Sequence, residues 1–296
     1  MKINLKTLLN KKIPTFYFSF VENDSISGTI PFKIKLYIKK IEKYKVENMP
    51  KVSIIMPCHN GEKYIRESLE SVISQTFKDW ELLVINDNSK DNSVNIINEF
   101  IVKDSRIKLF HAENSTGYPA TPRNIGIKHA QGRYIAFLDC DDVWLPTKLE
   151  KQIPLLNGKN AICYSYYEKI AENGDRTNRI LKFPPFTTYK KLLKTCVIGN
   201  LTGIYDTQLV GKIYQKEIHQ EDYVMWLDIL HKSDKAICCE ENLALYRLSS
   251  NSVTSSKLKI FQWQWNTYRK ELKINFFYSC WLYICYALHG FLKFLK

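Results

Sequence analysis

Tyr134-Ile135-Ala136-Phe137-Leu138-Asp139-Cys140-Asp141-Asp142-Val143-Trp144 decides how the rest of the chain is read. An apolar run with the length of a buried strand stops at three acids spread over four positions. Carboxylates repel one another, and a fold holds them together only with a cation among them. Asp-x-Asp at a strand end suits a hard divalent cation, whose oxygen ligands usually include substrate phosphates. The stretch therefore points to a phosphate-bearing substrate.

Upstream, the same unit repeats in texture though not in sequence. Val52–Pro57 is a short apolar strand, and Cys58-His59-Asn60-Gly61-Glu62 is a turn. From Tyr64 to Gln75, apolar residues recur at helical spacing. Trp80–Ile85 is a second strand, followed by the polar turn Asn86–Asp91 and a helical pattern over Val94–Val102. Ile107–His111 is a third strand, Arg123–Ala130 a helix, and Arg133–Leu138 a fourth strand. Strands alternating with helices of this length form a mainly parallel sheet. Ligands bind beyond the carboxyl ends of such strands. The turns at His59/Asn60, Asn86–Asp91 and Asp139–Asp142 all fall at that edge, which favours one shared site. The later chain is less regular. Ile162–Tyr167 is a strand, Asn173-Gly174 a hairpin turn, Tyr189–Cys196 a short helix, Glu221–His231 a helix and Leu243–Arg247 a strand.

The chain has 296 residues, 45% hydrophobic and 25% charged, which is enough for a large core without staples. Its net charge of +13 is uneven: residues 1–50 hold ten Lys against four acids, and a second basic cluster includes Lys257, Arg269, Lys273 and Lys293. Charge of this kind bears on partners, not on fold. The basic clusters match no nucleic-acid motif. Eight Cys show no metal-type Cys-x-x-Cys spacing and read as reduced thiols. The start Met1-Lys2-Ile3-Asn4-Leu5-Lys6 has no apolar core of signal-peptide length, so a cytoplasmic protein is expected.

An ordered set of pieces carries a resemblance: Val52–Pro57, Asn60–Ile65, Val84–Ser93, Pro122–Gly126, Gly132–Trp144 and Gln220–Tyr223. Each piece is weak alone; together, over roughly residues 51–250, they resemble the family 2 glycosyltransferases, which have the GT-A fold. Tyr246–Lys257 looks like the branch that builds lipopolysaccharide, capsule or teichuronic acid. The resemblance implies an α/β fold, a mainly parallel sheet flanked by helices. It also implies transfer of a single sugar from a nucleotide-sugar, usually UDP-linked, with inversion. A Mg²⁺ or Mn²⁺ ion would neutralise the leaving diphosphate.

Carried onto this chain, Asp141 is the expected metal ligand, and Asp139 the second ligand or a ribose contact. Asp142 is expected to cap the turn. Pro57, His59 and Glu62 would line the nucleotide pocket, and Asp87 would accept a hydrogen bond from uracil. Arg123 suits the diphosphate, since its fork matches phosphate oxygens. Asp222, second of the Glu221-Asp222 pair, matches the position of the base that deprotonates the acceptor hydroxyl. Arg247 either helps hold the departing diphosphate or is an ordinary strand-end residue. Asn86, Asn88, His59 and Pro122 depart from the family's usual residues, which leaves base and sugar preference open. Gln262-Trp263-Gln264-Trp265 lacks the Arg of the processive Gln-x-x-Arg-Trp motif, as expected for single-sugar addition. The histidines at 111, 129, 219 and 231 read as structural or surface residues; the tryptophans at 144 and 226 could stack on sugars but read more as core.

Residues 1–50 are expected to be a basic extension, 51–250 the catalytic domain and 251–296 a membrane-associating helical segment. Phe276–Leu292 is 17 residues without a charge, between Lys273 and Lys293. That is the short limit for a span, and its aromatics with flanking Lys prefer the lipid interface. Interfacial docking, packing on the catalytic domain and spanning are the alternatives. The expected acceptor is a polyprenyl-diphosphate-linked glycan at the inner face of the cell membrane. Two other functions fit parts of the sequence. Asp139-Cys140-Asp141-Asp142-Val143 also fits the Asp-x-Asp-x-Val of haloacid-dehalogenase-type phosphohydrolases, although that motif normally lies on a first strand. An inactive membrane-surface module is the third reading.

Overall fold

A ten-stranded sheet runs in the strand order Ile107–His111, Trp80–Asn86, Val52–Cys58, Tyr134–Phe137, Ile204–Asp206, Ile162–Ile170, Ala236–Arg247 and Val143–Trp144, with Arg176–Leu181 beside Ile162–Ile170 and Phe186–Thr187 beside Ala236–Arg247. The computed structural model describes residues 49–248 and 257–295. The basic extension before Met49 and the Ser/Asn-rich loop after Leu248 lie outside the described residues.

The first half is the alternation read from the sequence. β1 (Val52–Cys58), α1 (Ile65–Ile73), β2 (Trp80–Asn86), α2 (Ser93–Lys103), β3 (Ile107–His111), α3 (Ala120–His129) and β4 (Tyr134–Phe137) follow one another. Their four strands are mutually parallel. β2 is buried at every position, as a strand covered on both faces must be. Its one charge, Glu81, accepts bonds from Ser53 Oγ at 2.7 Å and the Gln131 amide at 2.8 Å, and pairs with Lys108 at 2.7 Å. Apolar clusters lie on both faces of the sheet.

The second half contains elements that the pattern did not announce. β5 (Val143–Trp144), α4 (Lys148–Gln152), β6 (Ile162–Ile170), β7 (Arg176–Leu181), β8 (Phe186–Thr187), α5 (Tyr189–Leu192), β9 (Ile204–Asp206), α6 (Thr207–Val210), α7 (Glu221–His231) and β10 (Ala236–Arg247) complete the body. β9 runs antiparallel between β4 and β6 and so joins the halves. The hairpin at Asn173-Gly174 links β6 to β7, with Gly174 at φ 92°. β10 is longer than expected, since its first half pairs with β6. α8 (Lys257–Asn266), a π-helical turn (Thr267–Glu271) and α9 (Phe276–Leu295) follow. Tyr268 and Leu282 are fully buried in the same cluster as Tyr223 and Trp226, so one face of this segment packs on the catalytic domain. Among the described residues no helix is long and apolar enough to cross a membrane.

Two glycines set the depth of the functional helices. A Cβ on Gly126 would meet Ile55 at 2.5 Å and Ile85 at 2.9 Å, so α3 lies directly on β1 and β2. A Cβ on Gly203 would meet the Trp226 ring at 2.4 Å, so α7 sits equally close to the strand edge before β9.

Candidate active site

The carboxyl ends of β1, β2 and β4 carry the residues expected on the nucleotide side. Pro57 lies within β1 beside Ile85 of β2. His59 Nδ1 donates to the Asp87 carbonyl at 2.6 Å, tying the two turns together. Glu62 is exposed, accepts from the Asn92 amide at 2.8 Å and so braces the start of α2. Asp87 is buried. One of its carboxylate oxygens accepts from Ser115 Oγ at 3.1 Å; the other is buried without a partner. A buried acceptor left unpaired costs about 1–3 kcal/mol, and a donor on a ligand relieves that cost.

Asp139, Cys140, Asp141 and Asp142 turn the chain between β4 and β5, with the Asp142 amide donating to the Asp139 carbonyl at 3.1 Å. Asp142 is buried, and its carboxylate accepts from the Arg247 amide at 2.9 Å. It anchors the acidic turn to the end of β10. Burial, and then Asp139, push the Asp141 carboxyl up to about 6. Arg247 and Arg123 pull it down only in part, and a cation beside it would favour the charged form. Among the described residues no three His, Cys, Asp or Glu converge into a cation cage. Two carboxylates fit Mg²⁺ or Mn²⁺ only if phosphate oxygens and water fill the rest of the shell, which is common for such ions.

The sequence expectation puts Arg123 on the diphosphate and leaves Arg247 between the diphosphate and an ordinary strand-end place; in the structure both side chains are bonded to protein groups. Arg123 is buried, donating to Asp139 Oδ1 at 2.6 Å and to Glu221 Oε1 at 2.7 Å. Only its Nε is unpaired. Arg247 donates to the Asp141 carbonyl at 2.8 Å, the Glu172 carbonyl at 3.2 Å and Glu67 Oε2 at 2.5 Å. Each guanidinium is thus held in place by carboxylates or carbonyls of the protein itself. Arg247 is a clamp on the acidic turn, and Arg123 a bridge from that turn to α7.

α7 brings the second half of the chemistry. Glu221 and Asp222 form its first turn, where the helix dipole favours acids. Asp222 is half-buried, and its Oδ1 accepts from the Tyr223 amide at 2.8 Å. Burial, and then Glu221, push Asp222 up to about 7 against the pull of Arg123. A base poised near neutral pH is the efficient one. The residue before the pair, Gln220, is left-handed at φ 66°, strain that only surrounding contacts can hold. Its side chain donates to Gln264 at 3.1 Å and accepts from Thr267 at 3.1 Å. The contacts of Gln220, Glu67, Gln264 and Thr267 had no sequence signal, because the partners are 44 to 180 residues apart. Trp144 and Trp226 are core, as their apolar context implied.

A model of Glycosyl transferase family 2 matches residues 53–210. This chain is a family 2 glycosyltransferase. The glycosyltransferase is 44% identical over 219 residues to Escherichia coli WfgD, covering 73% of this chain and 84% of that one. WfgD is named a UDP-Glc:alpha-D-GlcNAc-diphosphoundecaprenol beta-1,3-glucosyltransferase. It is 34% identical over 246 residues to Bacillus subtilis TuaG, named for teichuronic acid biosynthesis, covering 82% of this chain and 97% of TuaG. Among solved structures, Staphylococcus aureus TarS 1-349 superposes with a TM-score of 0.62 at 21% identity, over 80% of this chain and 70% of that one. Pyrobaculum calidifontis mannosyltransferase PcManGT, solved with GDP-Man and Mn²⁺, gives 0.60 at 14%, over 87% and 81%. These likenesses establish the GT-A fold. With the family established, the phosphohydrolase reading loses its basis; Asp139 ends a fourth strand and is bonded to Arg123.

Proposed function

We propose that the enzyme transfers a single sugar from a UDP-linked donor, with inversion, to a polyprenyl-diphosphate-linked glycan during assembly of a bacterial surface polysaccharide. The observation that carries this is the double ion pair of Arg123. It ties Asp139, on the donor side, to Glu221, beside the base position, so one residue registers the two halves of a displacement. WfgD, with its UDP-glucose donor and diphosphoundecaprenol-linked acceptor, supports the choice of substrates.

Asp87 receives the uracil through its unpaired oxygen. Asp139 and Asp141 would hold Mg²⁺ or Mn²⁺, whose chemistry there is to neutralise the departing diphosphate. Asp222 removes the proton from the acceptor hydroxyl as that oxygen attacks the anomeric carbon from the face opposite the nucleotide. Arg123 positions both sides, and Arg247 with Asp142 fixes the acidic turn.

The enzyme works at the cytoplasmic face of an anionic bilayer. Phe277, Trp281, Ile284 and Leu288 recur at steps of four, three and four along α9 and are exposed, Phe277 to 84% and Ile284 to 58%. Lys194 lies over the Trp281 ring at 4.5 Å. An apolar stripe beside lysines suits a helix lying in the lipid interface.

The test is a panel of UDP-, GDP- and dTDP-sugars offered with a diphosphate-linked N-acetylglucosaminyl acceptor, with Mn²⁺ or with a chelator. Transfer from one UDP-sugar, abolished by the chelator, supports the proposal; transfer that survives the chelator, or favours another base, refutes it.

A further inference from the structure

A cleft of about 200 Å³ opens where the loop before α3, the loop before α7 and the α8–π-turn segment meet. Its wall is aromatic. His219 stacks on Trp263 with ring centroids 4.1 Å apart, and Tyr118 tilts against His219 at 5.8 Å. Around that wall stand Asn266 and two carboxylates, Glu217 and Glu271. Glu217 accepts from Thr121 at 2.8 Å, and Glu271 pairs with Lys216 at 3.2 Å. A carboxylate has about four lone-pair sites, so each keeps acceptor capacity for further hydroxyls.

We propose that this cleft seats a sugar ring of the acceptor glycan, an inference that rests on the glycosyltransferase reading above. Three observations point there. The chemistry is that of carbohydrate recognition: aromatic faces for the apolar side of a pyranose, acids and an amide for its hydroxyls. The size suits one ring, since the cleft's volume of about 200 Å³ lies below the roughly 300–1,000 Å³ of clefts for drug-sized ligands. The position is next to the base, because Thr267, which lines the cleft, donates to Gln220, and Gln220 immediately precedes Glu221-Asp222. The segment that builds the cleft also leads directly into α9 and its exposed apolar stripe. A lipid-borne glycan would therefore meet the cleft and the stripe on one stretch of chain. His219, read from sequence as structural, becomes part of the acceptor wall.

The probe is α-N-acetylglucosaminyl diphosphate on a short alkyl chain, titrated calorimetrically into the full-length protein with and without UDP and Mn²⁺. Trp263→Ala should weaken its binding about tenfold, the worth of a lost aromatic face, while Trp263→Phe keeps most of it. Glu217→Gln should weaken it by a smaller factor. UDP affinity should be unchanged in all three, which also reports that they are folded. Unchanged glycoside affinity in Trp263→Ala, or no glycoside binding by the unaltered chain, overturns the cleft assignment. Failure of the unaltered chain to bind UDP would instead refute the donor reading, and the nucleotide-free titration would still report on the cleft.

Discussion

The two halves of this enzyme handle their chemistry in different ways. Between Val52 and Asp142 the strands are parallel, and the turns after β1, β2 and β4 reach the site by the logic of the fold. Beyond Val143 the strands are mixed, and the site depends on long-range approach: Gly203 under Trp226, Gln220 held left-handed, and Arg123 reaching Glu221. On the proposed function, donor recognition is then built into a regular topology, whereas acceptor activation is built from tertiary contacts. The second kind should be the easier to disturb without losing the first.

The strongest way to break that contrast is to remove the residue shared by both halves. Arg123→Leu leaves Asp139 and Glu221 facing each other without their cation, and breaking a buried pair costs about 3–5 kcal/mol. Chemical denaturation should register that loss, and both UDP binding and transfer should fall. Arg123→Lys should restore much of the stability but little transfer, since one ammonium cannot span two partners as a guanidinium does. If UDP binding survives Arg123→Leu intact, the bridge does not couple the halves.

Asp141→Ala should weaken Mn²⁺-dependent UDP binding about a hundredfold, measured by titration with and without the metal. A smaller effect follows from pH. Asp222 works only when ionised, so kcat should fall tenfold per unit below about pH 7 and level off above it. Stability has its own sign. Asp141 and Asp222 are pushed above their unfolded value of 3.8, so in the ligand-free chain these two groups hold more protons folded than unfolded up to about pH 7. Their contribution to stability is greatest at the acid end of that window and is lost as pH rises through it. Mn²⁺ with UDP should therefore raise the thermal midpoint more at about pH 8 than at about pH 5.5; equal shifts would deny the cation its place between the carboxylates.

Asp87→Asn should cost UDP about tenfold in affinity and narrow its advantage over GDP, as loss of a charged hydrogen bond does. Smallest in its effect on chemistry, Phe277→Ser with Ile284→Ser should release the enzyme from anionic vesicles in a flotation assay. Turnover of a short-chain soluble acceptor should be retained. Equal flotation of both proteins would remove α9 from the membrane.

Much of the first half was legible because it obeys local rules. Helical spacing, strand alternation and polar turns put Asp87, Asp139 and Asp141 at one sheet edge. Glu221-Asp222 was legible as a helix start. The roles of the arginines were not, since a motif gives a residue's position but not the carboxylates that reach it through folding. Arg247 meets Glu67 across 180 residues of sequence. β9 was missed because three residues carry too little pattern.

The account stands most directly on Asp222→Asn, assayed for UDP–Mn²⁺ affinity and for transfer on the same preparation. It expects unchanged nucleotide affinity with transfer reduced about a thousandfold, the scale of a lost general base. Transfer near the unaltered rate, or nucleotide affinity lost in step with transfer, would contradict it.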